Sequence, residues 1–152
     1  MSPSAMLRGA LLALGLVTIT ACHDGPFSPY WDRGTYELVA ANGRYVPSNV
    51  YVAAGPGHVD AVDVVDGWIT LHGDGSYELI VHARETTNGL SADVTHAYAG
   101  GYDTDGNMLY LSYDLPGSYY SDQLQASWHD GIIEVVVPDV AMGHGVLMRF
   151  GR

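Results

Sequence analysis

The chain of 152 residues contains no lysine, one cysteine and two phenylalanines, and its six cationic side chains, all arginine, face 17 Asp and Glu. A net charge of −11 excludes nucleic acid as a partner, because phosphate binding needs clustered Lys and Arg. One cysteine excludes an internal disulfide framework and a Cys₄ zinc site. No apolar run reaches the ~20 residues of a membrane-spanning helix. What is present is a hydrophobic fraction of 47%, which at this length predicts one domain able to bury a core.

Residues 1–21 read as a secretory signal, from either Met1 or Met6. Arg8 is their only charge; an apolar run from Gly9 to Val17 follows, then Thr18-Ile19-Thr20-Ala21 and the single cysteine, Cys22. Ile19-Thr20-Ala21-Cys22 resembles the bacterial lipobox, in which a branched apolar residue and two small residues precede Cys. The resemblance implies cleavage between Ala21 and Cys22, a diacylglycerol on the Cys22 sulfur, and acylation of the new amino terminus. Each buried acyl CH₂ contributes about 0.8 kcal/mol, so several chains anchor a protein without a spanning helix. The implied address is the bacterial cell envelope, facing the periplasm. By analogy with enteric sorting, His23 after the cysteine, in place of Asp, favours the outer membrane. Residues 22–33 then hold the lipidated cysteine and a tether containing Gly25, Pro26 and Pro29. From Cys22 onward 5 arginines stand against 17 acidic residues, a charge of −12. Anionic headgroups repel such a surface, so the body is expected to stand off the membrane.

From Gly34 to Arg152 the hydrophobic period is two. Thr35 to Ala40, Trp68 to His72 and Tyr77 to Val81 alternate, as half-buried strands do. Asn42-Gly43, Asp66-Gly67, Asp74-Gly75, Asn88-Gly89, Asp105-Gly106 and Asp130-Gly131 supply hairpin turns. A two-residue turn at Asp130-Gly131 pairs Trp128 with Ile133 and Ala126 with Val135, gathering the apolar residues on one face. A three-residue loop Gly73-Asp74-Gly75 pairs Leu71 with Tyr77 and Ile69 with Leu79. About eight strands follow: near 34–41, 58–65 with 68–72 bent at Gly67, 76–86, 91–102, 107–114, 122–129, 132–138 and 144–151. Val46 to Gly57, with Pro47 and Pro56, reads as a longer connection. The expected fold is all-β, an antiparallel up-and-down meander that closes into a small barrel. A partly open barrel or a sandwich is the alternative.

Gly34-Thr35-Tyr36-x-Leu38 with Asn42-Gly43-x-x-x-Pro47, Gly67-x-Ile69-x-Leu71-x-x-Asp74-Gly75-Ser76-Tyr77-x-Leu79, and Gly101-Tyr102 with Asp105-Gly106-Asn107 resemble the signatures of small bacterial lipocalin-like lipoproteins. The resemblance covers nearly the whole body and implies a lipocalin-like β domain over 34–152. It implies a scaffold and no particular ligand. The acidic strand 58–66 and the Tyr119-Tyr120 segment depart from it.

Seven histidines and thirteen aspartates raise a metal hypothesis. Asp103-Thr104-Asp105-Gly106-Asn107 opens like a calcium loop but lacks the distal bidentate Glu, and reads as a hairpin turn. His72 and His82 lie on one outer face about 20 Å apart along the strands, and no H-x-H or H-x₃-H pair exists, so no metal or other cofactor is expected. No G-x-S-x-G is present, and Asp60-x-x-Asp63-x-x-Asp66 reads as a solvated strand face. No catalytic residue is assigned, and the chain is not expected to be an enzyme. Eleven tyrosines and three tryptophans suit a damp cavity or a binding rim as well as strands. Tyr119, Tyr120 and Trp128 are the candidates for a ligand-lined mouth. An eight-stranded barrel either is filled by side chains or holds one small ligand. The expectation is a lipid-anchored envelope barrel that takes a small apolar or amphipathic molecule. The alternative is a non-catalytic module, with a filled barrel, that binds an envelope protein.

Overall fold

The alternation of apolar and polar residues becomes ten strands in the computed structural model, which describes residues 33–114 and 121–152. The signal segment, Ala21, Cys22, the tether up to Asp32, and Tyr119 and Tyr120 lie outside the described residues. The strands are β1 (Gly34–Ala41), β2 (Arg44–Tyr45), β3 (Ser48–Gly55), β4 (His58–Leu71), β5 (Ser76–Thr87), β6 (Leu90–Asp105), β7 (Met108–Asp114), β8 (Ser121–His129), β9 (Ile132–Ala141) and β10 (His144–Gly151). All pairings are antiparallel. β4 to β10 form a continuous meander, and β1 pairs with both β10 and β4. The chain is therefore a closed up-and-down barrel of eight strands, with β2 and β3 added to β1 and β4.

Turn chemistry sets the register. Asp130 and Gly131 both adopt positive φ, +49° and +78°, the requirement of a type I′ hairpin whose twist matches the strands. Trp128 accordingly faces Ile133, and Ala126 faces Val135. The Gly73–Gly75 loop sets Leu71 against Tyr77 and Ile69 against Leu79, as its spacing predicts. Asp74 caps that loop, accepting from the Ser76 amide at 3.0 Å and its hydroxyl at 2.6 Å. Both bonds, the side-chain one first, hold its carboxyl below the usual range.

Two expectations about the strands are corrected. Asp66-Gly67 forms no hairpin turn: both residues lie inside β4 and neither adopts positive φ. Ser48–Gly55 is a strand, not an unstructured connection: it pairs with β4 from Ser48↔Val64 to Gly55↔His58. Pro47 and Pro56 stand immediately outside it, where a missing amide breaks no ladder bond. On the edge away from β5, β4 serves two partners, β3 along its first half and β1 along its second. The change of partner coincides with a bulge between Val64 and Asp66. At the next residue, Gly67, a Cβ would lie 2.5 Å from the Ile80 carbonyl oxygen, so only glycine lets β4 coil this tightly against β5.

Inward side chains fill the barrel. Tyr36, Ile69, Leu79, Leu111, Met148 and Phe150 are all fully buried within one apolar cluster. Each such burial stabilises the fold by about 1.5–3 kcal/mol. The two ends differ. β1 starts and β10 finishes at one end, where the Arg152 guanidinium lies 4.5 Å from the centre of the Tyr36 ring and donates to the Arg33 carbonyl. The Gly73–Gly75, Gly106-Asn107 and Asp130-Gly131 turns share this end. The far end carries the Asn42-Gly43, Pro56-Gly57, Asn88-Gly89 and Met142-Gly143 turns.

Candidate functional site

The Asn88-Gly89 turn fixes the register of the two longest neighbours in the barrel. It places Tyr77 opposite Gly100, Leu79 opposite Tyr98, and Val81 opposite His96. Tyr77, Leu79 and Val81 are buried, so Tyr98 and His96 share the inward parity of β6. On its other side β6 pairs with β7 only from Tyr102↔Leu111 to Asp105↔Met108. β7 continues beside β8 as far as Asp114↔Ser121. Past Tyr102 the ladder pairing ends, although the Gly100 backbone still lies against Ser112 and Tyr113, and beyond that contact is a cleft of about 270 Å³. His96, Ala97, Tyr98, Tyr113, Asp114 and Asp139 line it.

Three phenols organise this region. Tyr98 donates to the Pro138 carbonyl at 2.8 Å, joining β6 to β9. Its ring meets that of Tyr113 edge to face, with centroids 5.2 Å apart and an interplanar angle of 88°. Tyr113 donates to Asp122 at 3.3 Å. Burial, then the charges of Asp139 and Tyr113, push the Tyr98 phenol up to about 12. Burial raises Tyr113 as well, followed by the charge of Asp122 and its hydrogen bond. Burial and the nearby Tyr113 and Tyr98 phenols raise Tyr77. At neutral pH all three are therefore protonated and able to donate.

Two polar atoms here are buried without a hydrogen bond to any protein group: the Tyr77 hydroxyl and His96 Nε2. Tyr77 is only 2% exposed. A buried group left in this state costs about 1–3 kcal/mol, and native proteins keep few of them. Apolar walls with a small number of donors and acceptors suit a small amphipathic guest.

Trp128, the described member of the expected ligand set, is partly buried and packs on the core. It sits beside the Asp130-Gly131 turn, at the other end of β8 from Ser121. The two positions are seven residue steps apart along the strand, about 23 Å. Asp103–Asn107 forms the β6–β7 hairpin, with Asp105 opposite Met108. The aspartates of β4 do not form one solvated face. Asp60 shares the parity of buried Val62 and Val64, whereas Asp63 and Asp66 fall outside because the bulge intervenes. Each is also engaged: Asp60 by the Asn88 amide, Asp63 by the Asn49 amide group, and Asp66 by His82. Among the described residues, no three His, Cys, Asp or Glu side chains converge as a metal site would require.

Sequence reasoning missed His96, Tyr98 and Tyr77 as a group. The signal was available: the Asn88-Gly89 turn, treated like Asp130-Gly131, yields the β5–β6 register directly. Comparison with protein-family models, curated proteins and solved structures finds no match to this chain.

Proposed function

We propose that this chain is a lipid-anchored protein of the bacterial cell envelope whose lipocalin-like barrel binds a small amphipathic molecule without catalysis. The anchor is Cys22, exposed by cleavage after Ala21, with the body in the periplasm and the outer membrane its favoured attachment. The ligand occupies the cleft between β6 and β7. One observation carries this reading: the Tyr77 hydroxyl and His96 Nε2 are buried and unpartnered beside an aromatic-walled cleft that reaches the surface. Its volume, about 270 Å³, lies at the lower edge of the ~300–1,000 Å³ of ordinary ligand pockets, which favours a compact guest.

A second reading also has support. The packed interior, with Tyr36, Phe150 and Met148 fully buried, suits a filled barrel that meets an envelope protein through its surface. Native mass spectrometry of the protein released from membranes separates the two. A retained small-molecule mass supports the first; a bare mass, unchanged by a panel of amphipathic compounds, supports the second.

A further inference from the structure

We propose that the outer wall carries a second and separate binding site, for a neutral saccharide, centred on Trp68. It lies where β1 and β3 diverge along the edge of β4. There a groove of about 480 Å³ is lined by Thr35 and Glu37 of β1, Asp66, Trp68 and Thr70 of β4, and His82 of β5. Trp68 faces outward between the buried Gly67 and Ile69, so the barrel core does not require an indole at this position. It is directly opposite Glu37 on one side and Ile80 on the other.

The surrounding groups are ordered by one another. His82 Nδ1 and Asp66 Oδ1 are 2.6 Å apart. The imidazole meets the Trp68 ring edge-on at 5.4 Å and 79°. That bond leaves His82 Nε2 and Asp66 Oδ2 for a ligand. The Thr35 and Thr70 hydroxyls are 2.9 Å apart, and each retains further hydrogen-bonding capacity. The groove thus offers an aromatic surface bordered by carboxylates, hydroxyls and one imidazole. A pyranose has the complementary form: a C–H face that stacks on indole, and vicinal hydroxyls that donate to carboxylates. Among the described residues, no Lys or Arg lines the groove, and two carboxylates do, so an anion is repelled.

The test uses the full-length protein in a sugar-free detergent. The indole N–H signal of Trp68 is followed by NMR during titration with neutral α-glucan, β-glucan and chito-oligosaccharides. One of the three is expected to shift it. By isothermal titration calorimetry with the saccharide that shifts it, Trp68→Ala should weaken the affinity about tenfold, as loss of one aromatic contact does; Trp68→Phe should weaken it less, and Glu37→Gln should weaken it while leaving the spectrum native. The proposal is overturned if no oligosaccharide moves the Trp68 signal, if tetramethylammonium moves it instead, or if binding survives both Trp68→Ala and Glu37→Gln.

Discussion

Tyr98 shows how a single side chain serves both stability and recognition. Its phenol ties β6 to β9 through Pro138 and forms one wall of the cleft. Because folding raises its pKa to about 12 from an ordinary value of about 10, the folded protein holds its proton where the unfolded chain has lost it. The resulting stability is complete below about pH 10 and is lost as the pH rises through about 12. Urea titrations at stepped alkaline pH should show this decline, and Tyr98→Leu should flatten it. Tyr77 makes the opposite case. Its hydroxyl has no protein partner, so Tyr77→Phe in the ligand-free protein should be neutral or slightly stabilising. A loss of ~1 kcal/mol in urea unfolding would mean that the hydroxyl has a structural partner. Leu79, fully buried in the core, should cost about 2–5 kcal/mol on truncation to Ala.

At the level of strands, the turns made most of the fold legible. Asx-Gly pairs marked five of the hairpins, Asp66-Gly67 lying instead inside β4, and at Asp130-Gly131 and the Gly73–Gly75 loop they gave the register observed. β3 was hidden because Ser48–Gly55 alternates weakly and is bracketed by prolines; its strand state depends on the free edge of β4, a tertiary fact. The cleft was hidden for a related reason. Nothing local in β6 shows that its ladder with β7 ends after four residue pairs. The groove beside Trp68 was partly legible: extending the Leu71↔Tyr77 register brings Asp66 opposite His82, as observed. The bulge before Gly67 moves the parity of Asp63 and Asp66 to one side, which a period of two cannot anticipate. Gly67→Ala places a methyl against the Ile80 carbonyl oxygen and should destabilise by ~1–3 kcal/mol in thermal or urea unfolding.

The whole molecule has a polarity that the proposed anchor gives meaning. The described chain begins and ends at the barrel end capped by Arg152 over Tyr36. A lipid on Cys22 would therefore join this end to the membrane through residues 23–33. The far end, with the Tyr51–His144 stack at 5.7 Å, would then point into the aqueous space. The charge of −12 from Cys22 onward would keep the wall clear of anionic lipid. Labelled palmitate should enter the wild type and be absent from Cys22→Ala; equal labelling would contradict the anchor. Anchoring and recognition are separable, and recognition is proposed to take place in the cleft between β6 and β7. Its most direct test is native mass spectrometry of the wild type beside Ala97→Trp, which places an indole at the cleft without entering the core. A small-molecule adduct is expected on the wild type and not on the variant, with both proteins folded. A bare wild type, or an adduct retained by Ala97→Trp, would contradict it.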